Sequence, residues 1–158
     1  MPMKKKPDLK LSKNMEDYLE AIVVLGREKG VVRVKDISKR LKVSTPSVSG
    51  ALVTLEQLGL VVHERYGYIE LSPEGEKIAS EIDRKHRTLK RFLELILRLD
   101  SKTAEQDACE IEHAISSETF QRFLKFISFV ETCPAENLPD WLNGFYEYLE
   151  TGKITVCK

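Results

Sequence analysis

Several things are missing from this chain of 158 residues, and each absence removes a class of function. No apolar run approaches the roughly 18 residues needed to span a bilayer, so no membrane helix is expected. There are only three cysteines, Cys109, Cys133 and Cys157, and no CxxC pair. An odd count argues against a disulfide framework, and a four-cysteine zinc site is excluded within one chain. A glycine-rich phosphate loop and an HExxH motif are also missing, and no nucleophile–base pair stands outside the candidate metal ligands. All of this speaks against an enzyme. The N-terminus is basic, but no apolar stretch follows the charges. Residues 1–12 therefore read as a flexible basic arm rather than a secretory signal, and a cytoplasmic location is expected.

The chain has no net charge, but its charge is uneven. Residues 1–100 carry a net of about +5 and residues 101–158 about −5. A basic N-terminal part suits nucleic acid, and an acidic C-terminal part suits metal binding or a solvated oligomeric surface. With 42% hydrophobic residues the chain has the material for a real core.

Hydrophobic periodicity predicts mostly helices. A first helix runs from Asn14, as cap, to about Glu28, and Gly30 ends it. Asp17 and Glu20 lie together on one of its faces. VKDISKRL, Val34 to Leu41, reads as a short helix with Ile37 and Leu41 inward. After the turn Lys42-Val43-Ser44, Thr45 is the expected N-cap of a second helix and Pro46 its first helical residue. Val48, Leu52, Leu55 and Leu58 share one face of that helix, and Gly59 stops it. Two short helices across a tight turn form a helix-turn-helix. Two β-rich runs follow, Leu60–Glu64 and Tyr68–Leu71, around Arg65-Tyr66-Gly67. They read as a hairpin in the position of a wing.

Ser72 and Pro73 start a long helix to about Leu99. Helices are predicted over 103–114 and 116–130, and Cys133-Pro134 ends the second. A last helix over Leu138 to Leu149 has Trp141, Phe145 and Tyr148 as its expected packing face.

The start of the second helix of the helix-turn-helix is where such proteins enter the major groove. Ser44, Thr45, Pro46, Ser47, Ser49 and Gly50 stand there. Short hydroxyls reach phosphates or base edges, and Pro46 can touch a thymine methyl. Long bidentate base readers are missing, so a large share of shape readout is expected. Arg33, Lys35, Lys39, Lys42 and Arg65 are the candidate phosphate anchors.

The most informative stretch is Cys109-Glu110-Ile111-Glu112-His113. Cys109, Glu112 and His113 are spaced i, i+3, i+4, so a helix points all three the same way. A thiol, a carboxylate and an imidazole on one face make half of a divalent-metal site. A buried small hydrophobe is the plainer role for a lone cysteine, but its two neighbours favour a ligand. His63, in the wing, has no metal role in this reading. Neither have Cys133 and Cys157.

MEDYLEAI, then VKDISKRLKVSTPSVSGALVTLEQLGLV, LSPEGEKIA, RKHRTLKRFL and DACEIEHAIS occur in this order over roughly residues 12–130. At these separations the chain resembles the DtxR/MntR metalloregulators. The resemblance implies a mostly α fold. An N-terminal winged helix-turn-helix with a two-stranded wing (13–73) is joined to an all-helical dimerisation and metal-binding domain (74–130). The chain would be the compact form without the SH3-like domain; residues 131–158 have no counterpart in the resemblance and read, from their own pattern, as a C-terminal helical extension. It also implies a homodimer that binds double-stranded operator DNA when loaded with a divalent metal, and that represses iron or manganese uptake. No membrane and no organic substrate is expected as a partner.

Residue by residue, the resemblance gives a hybrid ligand set. Asp17 and Glu20 match the manganese branch. His86, Glu112 and His113 match ligands of both branches. Cys109 matches the iron branch, where the manganese branch has a glutamate. Lys90 stands where the iron branch has a ligand carboxylate, and Gly50 where it has a glutamine near the bases. Glu105 stands at the place of an iron-branch histidine, four residues before Cys109, and is a further candidate ligand. Thiolate favours softer ions than Mn²⁺, so the set leans to Fe²⁺ over Mn²⁺, with Zn²⁺ or Co²⁺ as substitutes in vitro. The alternative is a winged-helix regulator that senses redox state through Cys109 without a metal.

Overall fold

Ser12 caps the first helix, its Oγ accepting the Met15 N–H at 3.4 Å, so α1 (Lys13–Lys29) starts ahead of the expected Asn14. It ends at Gly30, whose φ of 78° an L side chain resists. The computed structural model describes residues 11–63, 67–133 and 138–154. Two compact units form, residues 1–84 and 85–158.

The first unit continues with α2 (Val34–Leu41) and α3 (Thr45–Gln57). Here too the cap lies earlier than expected, by one residue rather than the two of α1. Ser44, not Thr45, accepts the Ser47 N–H at 3.3 Å, which moves Pro46 to the second helical position. Serine and threonine cap equally well by sequence, and the extended backbone at Ser44 decides between them. The α2–α3 turn is closed by Lys42 in the left-handed region, φ 55°. At the far end of α3, Leu60 N donates to Leu55 O and Gly59 N to Glu56 O, both at 2.9 Å. That pair of bonds is the Schellman ending, with Leu55 and Leu60 buried against it.

Strands β1 (Val61–His63) and β2 (Ile69–Leu71) pair antiparallel, with Val62 opposite Glu70. Val32 adds a bridge to Ile69, a third short edge that the sequence did not announce. The tip residues 64–66 lie outside the described residues, and with them Arg65. Leu19, Ile37, Val48, Leu52 and Leu55 are fully buried at the centre of this unit. Burying each such side chain is favourable by roughly 1.5–3 kcal/mol.

Next, α4 (Pro73–Leu95) starts with Ser72 accepting the Gly75 N–H at 3.1 Å. The division between the units falls inside this helix. Its first turns contribute Ile78 and Ala79 to the core of the first unit. It also stops short of Leu99, because Arg98 takes a φ of 53° and Leu99 N folds back to Leu93 O.

The second unit contains the rest of α4, then α5 (Ser101–Glu112), α6 (Ser117–Glu131) and α7 (Asp140–Thr151). Leu89 and Leu93 of α4 pack on Ala104 and Ala108 of α5, with Phe92 and Phe123 alongside. Ile96, Val130, Leu142 and Tyr146 form a second cluster. The buried face of α7 is thus Leu142 and Tyr146. Trp141 and Tyr148, expected inside, are 38% and 45% exposed. Among the described residues no helix is long and apolar enough to cross a membrane.

Candidate metal centre and nucleic-acid face

Asp100 sets α5. One carboxylate oxygen accepts the N–H groups of Lys102 and Thr103 at 3.1 Å, and the other the Thr103 hydroxyl at 2.6 Å. These bonds hold its carboxyl below the usual carboxylate range, the Thr103 hydroxyl contributing most. Ala104 and Ala108 have no bulk to keep α5 off α4, and this brings His86 of α4 to the Glu112 side of α5.

Glu112 is the hub. Its side chain is 1% exposed. Oε2 lies 2.8 Å from His86 Nδ1, and Oε1 lies 3.2 Å from His113 Nε2. Cys109, Glu112 and His113 bring a sulfur, a carboxylate oxygen and a ring nitrogen within 4.8 Å of one another. The predicted i, i+3, i+4 face is therefore real, although His113 itself is the cap residue after α5.

Glu105 meets the same cluster from outside. Oε1 is 3.1 Å from His86 Nε2, and Oε2 is 2.9 Å from Lys90 Nζ. The Lys90 ammonium, above all, holds the Glu105 carboxyl below its usual range, and Glu105 in turn raises Lys90.

The donor chemistry fits a divalent first-row ion. A buried carboxylate with two imidazoles and a thiol combines hard and borderline-soft donors. Such a carboxylate is costly to bury unless positive charge comes to it. A divalent ion at this point would supply that charge.

Of the other predicted ligands, Asp17 and Glu20 belong to the first unit. They are half-buried on α1 beside the buried Tyr18 and Leu19. His63 of the wing faces Glu56 at 3.5 Å. Cys133 is half-buried after α6, and Cys157 lies outside the described residues.

On the first unit, Ser44, Thr45, Pro46, Ser47, Ser49 and Gly50 are all exposed at the start of α3. Their hydroxyls are partly committed: Ser44 and Ser47 share a bond of 2.8 Å, and Ser49 donates to Thr45 O. Lys35, Lys39 and Lys42 are exposed on α2 and the turn. Arg33 differs from them. Its guanidinium lies 5.0 Å over the Tyr68 ring and donates to the Tyr68 hydroxyl at 3.1 Å, which ties it to the wing. Sequence spacing could not reveal that pair, nor the pair of Lys90 with Glu105, because neither partner sits at a helical or strand interval from the other.

A winged helix-turn-helix and, in the same chain, a helical unit with a buried mixed-donor cluster define a class, the metal-responsive DNA-binding regulators. Residues 10–69 match the family described as iron dependent repressor, N-terminal DNA binding domain. Residues 72–139 match the iron dependent repressor metal binding and dimerisation domain. An HTH-type transcriptional regulator of Methanocaldococcus jannaschii is 36% identical over 118 residues, covering 74% of this chain and 94% of that one. The transcriptional regulator MntR of Salmonella typhimurium is 38% identical over 112 residues, 71% of each chain. The solved manganese regulator SloR matches with a TM-score of 0.67 and 29% identity, over 75% of this chain and 55% of that one. The chain belongs to the DtxR/MntR family of metal-dependent transcriptional regulators, which are not enzymes.

Proposed function

We propose that this protein is a homodimeric repressor of iron or manganese uptake that binds operator DNA when loaded with a divalent metal. The observation that carries the reading is the convergence of His86, Cys109 and His113 on the buried Glu112. In this reading those four residues hold the ion together with Asp17 and Glu20, the two carboxylates that the family resemblance assigns on α1. The ion, when bound, supplies the positive charge that these acidic and thiol groups need in order to share one site. Without it, carboxylates at close range repel, and the winged helix is not held at one setting. With it, the two recognition helices of a dimer would sit about 34 Å apart, one turn of DNA. A coupling of about 1–3 kcal/mol suffices to change DNA affinity 5- to 150-fold.

Two arguments bear on the metal. Solved and curated relatives include a regulator named for manganese, which makes Mn²⁺ the first candidate and gives the expected lean to Fe²⁺ no support. Cys109 is the argument for Fe²⁺, since thiolate suits Mn²⁺ poorly. The metal-free redox reading is weaker, because Cys109 stands in one cluster with Glu112 and His113, which offer a carboxylate oxygen and a ring nitrogen beside its sulfur.

The test is fluorescence anisotropy on duplexes selected from a random pool. Mn²⁺, anaerobic Fe²⁺ and Zn²⁺ would be titrated separately, with wild type and Cys109→Ala. Metal-dependent tightening that collapses in the variant is expected, and the metal that acts at the lowest free concentration relative to its cellular level is the co-repressor. Equal DNA binding with and without every metal would refute the reading.

A further inference from the structure

His86 touches a carboxylate through each ring nitrogen, and the two carboxylates are not alike. On Nδ1 is Glu112, buried, and in one cluster with Cys109 and His113. On Nε2 is Glu105, whose side chain is 53% exposed. The free end of Glu105 is already engaged. Oε2 meets the Lys90 ammonium at 2.9 Å, and Lys90 also faces Glu94 at 4.0 Å. A metal ion drawn to Glu105 would have to settle beside that ammonium, against its charge. Glu105 stands four residues before Cys109, one helical turn away, at the place of an iron-branch histidine, which is why the resemblance makes it a candidate ligand.

We propose that Glu105 is instead a positioning residue outside the coordination sphere. Its Oε1 accepts the Nε2–H of His86, so that Nδ1, the nitrogen on the Glu112 side, is the ligand, and Lys90 holds the carboxylate to that task. The inference rests on the metal reading above and deepens it. A neutral imidazole has one N–H and one lone pair, and the partner that accepts the N–H decides which nitrogen can bind metal. A carboxylate in that place also raises the basicity of the ligand nitrogen. Lys90 then has a definite role: it is a fixed internal cation that neutralises Glu105 and keeps a second metal ion from the exposed side of His86.

The experiment uses the full chain, Co²⁺ as a visible probe and Zn²⁺ for NMR. Variants are Glu105→Ala, Glu105→Gln, Cys109→Ala and Lys90→Met. For Glu105→Ala the same number of Co²⁺ per chain is expected, with unchanged band positions and an affinity 10- to 100-fold weaker, as for other residues that orient a ligand histidine. Glu105→Gln, whose amide oxygen still accepts an N–H, should recover part of that loss. In the Zn²⁺ form, nitrogen–proton correlation spectra should show His86 bound through Nδ1 and protonated on Nε2. Lys90→Met should admit an additional Co²⁺ at high concentration, and Glu105→Ala should not. A shifted Co²⁺ spectrum or a lost equivalent of Co²⁺ in Glu105→Ala would make Glu105 a ligand and overturn the proposal. Unchanged affinity would overturn it as well. Failure of the parent reading looks different: wild type would bind no Co²⁺, or Cys109→Ala would leave the sulfur-to-cobalt band intact.

Discussion

His86 Nδ1 and Glu112 Oε2 lie 2.8 Å apart across 26 residues of chain, and both side chains are almost withdrawn from water. Two helices must pack closely for this to happen, and the small residues Ala104 and Ala108 permit it. A buried carboxylate between imidazoles is a poor way to gain stability by itself and a good way to receive a cation. Excess metal should therefore stabilise the folded chain by about 2.7 kcal/mol at 100 times its Kd. Glu112→Gln keeps the shape of the side chain and removes its charge, so its Tm should not respond to Mn²⁺ or Zn²⁺. Equal metal-induced rises in Tm for wild type and variant would count against Glu112 as the hub.

Gly75 carries a steric demand of a different kind. A Cβ there would lie 1.9 Å from the Leu60 carbonyl oxygen and 2.9 Å from its carbon. The same carbonyl accepts the Ser72 N–H at 3.0 Å, so it cannot simply turn away. Gly75→Ala should cost about 1–3 kcal/mol, the range for overpacked sites, read as a lower urea midpoint with an unchanged slope. A midpoint equal to wild type would show that the start of α4 is looser than drawn.

For DNA, the tie between Arg33 and Tyr68 separates the basic residues into two kinds. Lys39 is exposed on α2 and would act as a simple phosphate anchor. Lys39→Ala should weaken binding about equally on all duplexes and lower the salt slope by about 1. Lys42 holds the left-handed turn, and glycine takes that backbone more readily. Lys42→Gly should therefore keep or raise Tm while weakening DNA binding. If Lys42→Gly lowered Tm and left DNA binding intact, the residue would be structural only.

The pH response of the first unit has a clear source. The Lys29 ammonium, 2.5 Å from Asp36, holds the Asp36 carboxyl below its ordinary value, and the Arg33 N–H at 3.2 Å adds to this. A depressed pKa means that the unfolded state binds the proton first as pH falls. The stabilisation is therefore complete above the ordinary carboxylate pKa of about 4 and is lost as pH drops through the lower folded value. Asp36→Asn should be less stable than wild type near neutrality by under about 1 kcal/mol, since the pair is near the surface. The gap should close in acid and narrow in high salt. A gap of constant size between pH 6 and pH 2 would assign it to something other than this pair.

Much of the architecture was legible because apolar residues recur at 3.6-residue intervals and glycine or proline marks the ends. The helix-turn-helix, the wing and the Cys109–Glu112–His113 face came from such patterns. Errors gathered where a pattern has two equal solutions. Ser44 and Thr45 are both good caps, and so are Ser12 and Asn14. Leu95-Ile96-Leu97-Arg98-Leu99 contains no breaker, so only the left-handed Arg98 shows where α4 ends. Contacts such as Arg33 with Tyr68, Lys90 with Glu105 and Val32 with Ile69 have no periodic signature, because tertiary packing alone brings them together.

The last helix shows the same ambiguity in a form that can be measured. Trp141, Phe145 and Tyr148 share a helical face, and so do Leu138, Leu142 and Tyr146. Sequence favours the aromatic set, while the fold buries Leu142 completely and leaves Trp141 38% exposed. The Tyr146 hydroxyl donates to Leu95 O, and the Arg98 guanidinium stacks 3.6 Å over the Tyr146 ring, which fixes the rotation of α7. Leu142→Ala should therefore cost about 2–5 kcal/mol, as for other buried leucines. Trp141→Ala, which loses mainly its tilted contact with Phe126 at 5.9 Å, should cost clearly less despite removing a larger side chain. Equal or reversed costs in urea unfolding would mean that α7 packs through the aromatic face after all.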